Sequence, residues 1–252
     1  MNAHERGSSI TRVLQIIEAV ASAERPPAPQ DLVQQLGIPK PSLHRLLQLL
    51  EQEQFIQTDV NHTLVPGIRS MRLSVHLWHN KYYKADREAV LADLSRKIGE
   101  TCGITVPNGH FMSYTDRVQT NWPLQIYLPT GTQVPLHCTA GGKLYLSHLS
   151  AEKRKRLVAH LPLEQLTHNT HIRAEDFLAE LKTVEAKAYG WDNQEFIAGM
   201  VGCAVPIYDK AGNFLAGLYT HAPVIRKNLD DLLHYLPDMQ EAAEEISRII
   251  DL

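Results

Sequence analysis

Apolar residues recur at helical spacing three times near the start of the chain. Ile10, Val13, Leu14, Ile17 and Ala21 form one stripe, with Ser8 or Ser9 available as an N-cap and Glu24-Arg25-Pro26-Pro27 as a stop. Leu32, Val33 and Leu36 mark a short second helix that stops at Gly37, a residue suited to a left-handed cap. Gly37-Ile38-Pro39 predicts a tight turn, and Pro41 belongs in the first turn of a third helix, where its missing N–H is no loss. That helix is expected to reach about Gln54. The period then drops to two, and residues 55–58 and 63–65 predict a hairpin around Asp59-Val60-Asn61-His62. Helix, helix, turn, helix, hairpin is the order of a winged helix-turn-helix.

Beyond Pro66-Gly67 the helical period returns. Met71, Val75 and Trp78, or Leu73 and Leu77, share helical faces and predict a linker helix over residues 69–83. A further helix through about Gly99 carries Val90, Leu91, Leu94 and Ile98. Strand-like runs follow at residues 102–106, 111–114 and 124–128, then the loop-to-helix passage PLHCTAGGKLYLSHL and helices at 151–160 and 174–189. Strands at 202–208 and 214–220 flank the turn Asp209-Lys210-Ala211-Gly212-Asn213, and a last helix runs to Leu252. The pattern predicts an α+β chain: a winged helix-turn-helix at 1–67, a linker helix at 68–84, and a domain with a mainly antiparallel sheet at 85–252.

Composition narrows the class. Hydrophobic content of 44% and charged content of 21% are ordinary for a globular chain of 252 residues. The start lacks a leader of basic, apolar and small residues, and no apolar run has membrane length, so a soluble cytoplasmic protein is expected with no membrane partner. Cys102, Cys138 and Cys203 are far apart and form no CxxC pair, which fits reduced thiols. His137-Cys138, or Cys203 with His221, could pair a thiol with a base, but neither comes with an orienting acid at a known spacing. His110, His168, His171 and the residues just named lack the paired spacing of structural zinc. No enzyme and no cofactor is therefore expected.

The third helix has two faces. With 100° per residue, Leu46, Leu47 and Leu50 fall within roughly 60° of Leu43, a stripe to be buried. Arg45 and Gln48 lie opposite, with Lys40, Ser42 and His44 toward the N-terminal half, and no acidic residue occurs from Leu32 to Leu50. An Arg can pair with guanine, a Gln with adenine, and Lys or Ser near a helix start with phosphates. A merely solvated polar face is the plain alternative, and the surrounding helix-turn-helix order favours DNA. These five residues are the candidate DNA contacts.

SSITRVLQIIEAV and GIPKPSLHRLLQLL, with GETCGITV, PLHCTAGGKLYL, YGWDNQE and GMVGCAVPIYDKAGNFLAGL downstream, resemble the IclR family of bacterial transcriptional regulators in order and spacing, over nearly the whole chain. The resemblance implies a winged helix-turn-helix, a linker helix and a GAF-like effector-binding domain, working as a homodimer or homotetramer on operator DNA. It also places effector contacts at Ala140, Gly141 and Gly142, Asp192, Gly202, Tyr219 and His221, with Ile126 and Val134 as an apolar wall. Read alone, Gly141-Gly142 need only permit close packing, and a nucleotide P-loop fails because Leu144 follows Lys143 and His137 stands where its first glycine belongs. Small organic acids are the implied effectors, and the larger Tyr219 and His221 suit an aromatic or less polar acid. Pro41, Gln54 and Pro66-Gly67 depart from the family pattern, which leaves the operator sequence and wing geometry open. A ligand- or zinc-binding sensor module with little specific DNA affinity is the alternative function.

Overall fold

A computed structural model describes residues 8–23, 25–78 and 80–250. Glu24, the extension of the last helix to Leu252 and the side chain of Val75 lie outside the described residues. The chain divides into two compact units, 1–80 and 81–252.

In the first unit, α1 (Ser9–Ser22), α2 (Pro29–Leu36) and α3 (Lys40–Gln52) precede the hairpin β1 (Ile56–Thr58) and β2 (Leu64–Pro66), followed by α4 (Ile68–Trp78). Ser8 caps α1 by accepting the Thr11 N–H at 3.2 Å. Gly37 adopts φ 63° and ends α2 by donating its N–H to Val33 O. Ile16, Leu32, Leu43, Leu47, Leu50, Ile56 and Leu64 form the core. Gln54 stands at φ 60°, in the left-handed region where a side chain is unfavourable. A Cβ on Gly67 would lie 2.2 Å from Gln54 O, so Gly67 lets α4 start directly against this bend. Ser70 Oγ donates to Phe55 O at 2.7 Å, and Arg69 pairs with Glu53 while stacking over Phe55. The start of α4 is thus bonded into the helix-turn-helix unit.

The single helix expected over residues 69–83 is divided. α4 ends at Trp78, and α5 (Lys81–Ile98) belongs to the second unit. There follow β3 (Thr101–Asn108), β4 (Phe111–Val118), β5 (Gln133–Pro135), α6 (Ala140–His148), α7 (Ala151–Val158), α8 (Ala174–Lys187), β6 (Gly190–Asn193), β7 (Met200–Tyr208), β8 (Phe214–Pro223), α9 (Leu229–Leu233) and α10 (Leu236–Ile250). The strands make one antiparallel sheet in the order β5-β4-β3-β8-β7-β6. α5 and α10 pack together and against the sheet, and Cys203 Sγ lies 3.5 Å from Met239 of α10. Residues that alternate with Cys203, such as Gly202 and Ala204, point to the opposite face, which α6 covers.

The strand expected at 124–128 is absent. Pro123 and Pro129 bracket the segment and cannot donate to a ladder at either end of it. Arginines take its carbonyls instead, Arg226 Nη1 donating to Leu124 O at 2.6 Å and Arg117 Nη2 to Ile126 O at 3.1 Å. The short β6 was not foreseen. No helix among the described residues is long and apolar enough to cross a membrane.

Candidate functional site

On α3 the buried stripe is Leu43, Leu47 and Leu50, with Leu46 half-buried beside them. Lys40, His44, Arg45 and Gln48 are exposed. At 100° per residue they sweep an arc from about 60° to about 200° away from Leu43, which is one continuous outward surface. Ser42 stands apart. It is half-buried on the α1 side, where it and Arg45 border a groove with Ile10, Val13, Leu14, Leu46 and Leu49. Pro39 offers no side-chain cap to the helix start.

In the second unit the α6 face of the sheet encloses a cavity. Its lining includes Val134, Ala140, Gly141, Asp192, Gly202, Tyr219 and His221 from the expected set. Thr105, Met112, Tyr114, Thr139, Met200 and Thr220 line it too, and the sequence reading missed them. Met112 and Tyr114 alternate along β4, a period-two signal that could have found them.

Two expected residues do not line the cavity. Gly142 turns toward the backbone of Leu136, where a Cβ would come within 2.4 Å, so this glycine serves packing. Ile126 contributes its carbonyl, which receives Arg117 and lies near His221 without hydrogen-bonding geometry. Gly141 is also needed for packing, since a Cβ there would meet Thr105 Cγ2 at 2.6 Å. At the α6 start, Thr139 Oγ1 accepts the Gly142 N–H at 3.3 Å. Among the described residues, no acceptor takes the N–H groups of Ala140 or Gly141.

The cavity is nearly full. Tyr114 and Tyr219 stack with centroids 4.5 Å apart, and Tyr219 lies within 7° of parallel to His221. The free space left in the cavity, about 20 Å³, admits about one water molecule. Tyr219 lies over Gly103, where a Cβ would meet its hydroxyl at 2.6 Å. Yet the Tyr219 hydroxyl and both His221 ring nitrogens are buried without a hydrogen-bond partner. Burial, then the Arg117 charge, lowers the His221 pKa to about 4 and keeps the ring neutral. Asp192 is 2% exposed, and its Oδ1 accepts the Glu195 N–H at 2.7 Å and the Phe196 N–H at 3.4 Å. Burial, then the Glu195 charge, pushes its carboxyl up to about 7.

Behind Asp192 lies a charged cluster. Lys143 is completely buried and donates to Glu195 at 2.6 and 2.8 Å and to Glu180. His171 Nε2 is 2.5 Å from the other Glu180 oxygen. Burial raises the Glu195 carboxyl despite Lys143, whereas Lys143 and then His171 outweigh burial at Glu180 and lower it. His171, Glu180 and Glu195 could in principle hold a metal, but the Lys143 ammonium already stands between the two carboxylates. The other candidate metal ligands do not meet: His137 Nε2 bonds Glu164 O, His110 is exposed, and Cys203 faces α10.

Residues 9–60 match the IclR helix-turn-helix domain, and residues 81–248 match the bacterial transcriptional regulator IclR C-terminal domain. The chain is 36% identical over 247 residues to a probable transcriptional regulator, SauR, of Cupriavidus necator, covering 98% of each. Its fold is similar to the Thermotoga maritima IclR crystal structure, with a TM-score of 0.64, 21% identity and coverage of 97% of this chain and 99% of that one. It is also similar to the inducer-binding domain of an Acinetobacter PobR double mutant in complex with 3-hydroxy benzoic acid. There the TM-score is 0.58 at 26% identity, covering 63% of this chain and 94% of that one.

Proposed function

The chain belongs to the IclR family of bacterial transcriptional regulators, and from that premise we propose that it binds operator DNA as a homo-oligomer whose C-terminal unit holds a small organic acid. The helix-turn-helix makes it a DNA-binding protein. Within that module, the exposed arc of Lys40, His44, Arg45 and Gln48 is the reading surface, and Ser42 serves the adjoining backbone phosphate.

The observation that carries the acid reading is the cavity itself. Unclaimed N–H groups at the α6 start offer donors to a carboxylate, with the positive end of the helix dipole behind them. Asp192, whose carboxyl titrates near 7, can stay protonated beside an anion and donate to it, as buried acids do elsewhere. An acid enters when the Tyr114–Tyr219–His221 stack opens, and the separated rings then offer flat faces to an aromatic acid. The related domain that holds 3-hydroxy benzoic acid supports this choice. Binding acts on DNA only if the acid prefers one of two arrangements of the paired reading heads.

Two measurements test the proposal. Isothermal titration of the full chain against benzoates and short keto acids is expected to show binding, tightest for the benzoates. Binding of the aliphatic acids alone would overturn the aromatic assignment, and binding of none would overturn the acid reading. A gel shift with the chain's own upstream DNA is expected to show retention at concentrations where random DNA stays free. Equal retention of both would favour a sensor module with little specific DNA affinity.

A further inference from the structure

Beside the α6 start, in the cavity and next to it, stands a second set of polar groups with no hydrogen-bond partner among the described residues. The Tyr219 hydroxyl and both His221 nitrogens are buried and unpartnered, and so is Arg117 Nε. Tyr219 is 4% exposed and His221 5%. Cross-strand register brings them together. Gly103 of β3 pairs with Arg117 of β4 on one side and with Tyr219 of β8 on the other, so Arg117 and Tyr219 share the face covered by α6. His221, two residues along β8, projects to the same face. The Arg117 charge is felt at Tyr114, Tyr219 and His221 alike.

The hydrogen-bonding inventory of this set is specific. Arg117 Nε–H can only donate, and the Tyr219 hydroxyl can donate. A neutral imidazole has one donor nitrogen and one acceptor nitrogen. His221 and Tyr219 stack nearly parallel, which keeps the phenol from bonding the ring nitrogens edge-on. The threonines nearby are engaged elsewhere, Thr220 with Thr101 O and Thr139 with Pro135 O. A carboxylate would answer the donors and leave the imidazole acceptor unmet. A hydroxyl accepts from Arg117 and Tyr219 and donates to His221, so it answers both kinds.

We infer that the cavity has a hydroxyl-recognising subsite formed by Arg117, Tyr219 and His221, and that its ligand is a hydroxy acid with its carboxylate at the α6 start. This inference rests on the organic-acid reading above. It assigns Arg117, which does not line the closed cavity, a specificity-determining part in the opened one.

Matched pairs of acids differing by one hydroxyl test it on the full chain by isothermal titration: 3-hydroxybenzoate against benzoate, and lactate against propionate. In at least one pair the hydroxy acid should bind roughly tenfold tighter or more, because its absence strands buried polar groups. In Tyr219→Phe, and in Arg117→Gln as a second variant, the ratio within that pair should fall to about threefold or less. A ratio near one for both pairs in the parent protein would overturn the subsite while leaving the acid reading standing. A high ratio untouched by both substitutions would also overturn it, by placing the hydroxyl elsewhere. Failure of all four acids to bind would overturn the acid reading and this inference with it.

Discussion

Replacing Asp192 by Asn should stabilise the protein in alkali and not in acid. The folded carboxyl titrates near 7 against an ordinary 3.8, because burial and then the Glu195 charge oppose its ionisation. A rise of that size corresponds to roughly 4 kcal/mol of stability, as an upper figure. The sign follows from proton counting. Between 3.8 and about 7 the folded protein keeps a proton that the unfolded chain has released, so stability from this group is fully present below 3.8 and lost as pH rises to 7. Above 7 the whole cost is borne. Asn has no proton to lose, and its amide oxygen can still accept the Glu195 and Phe196 N–H groups that Oδ1 holds. Urea unfolding of parent and Asp192→Asn, followed by tryptophan fluorescence across this range, measures the difference directly. The variant's advantage should grow with pH, with a slope approaching about 1.4 kcal/mol per pH unit, and level off above 7. An advantage independent of pH, or a variant less stable at pH 8, would refute the placement of a buried, proton-holding Asp192 in the cavity.

Three other substitutions probe separate parts of the structure. Lys143→Met strands Glu180 and Glu195 without their cation and should cost about 3–5 kcal/mol in thermal or urea unfolding, with part recovered when Glu195→Gln is added. Gln54→Gly relieves a left-handed side chain and should raise stability by up to about 1 kcal/mol, since the strain removed exceeds the entropy that glycine adds to the unfolded chain. Arg45→Ala should cost about 1–3 kcal/mol in operator binding and relax preference at one base pair; equal loss on operator and random DNA would make Arg45 a phosphate contact.

The helix-turn-helix was legible because each signal had a local cause. The leucine stripe of α3 is buried, and Gly37 turns where a left-handed cap was expected. The C-terminal sheet was less legible because pairing is long-range. The run at 124–128 looks like a strand by its apolar content, yet its carbonyls bond arginines from β4 and from beyond β8. β6 was hidden because Gly190-Trp191-Asp192-Asn193 is short and its register comes wholly from β7. Arg117 was hidden for a different reason. A bulge between Ile104 and Thr105 shifts the alternation along β4, so counting by twos from Met112 and Tyr114 puts Asp116, not Arg117, on the α6 face. Buried Lys143 reads in sequence as part of a glycine-rich loop, and its two carboxylates come from distant segments.

The central claim is that an acid in the C-terminal cavity changes how the N-terminal unit holds DNA. Operator affinity of the full chain, measured at fixed salt with and without the acid that titration shows to bind tightest, tests it directly. A change of about fivefold or more is expected, in the range of ordinary allosteric coupling, and by linkage operator DNA must change acid affinity by the same factor. Tight acid binding with operator affinity unchanged would contradict the account.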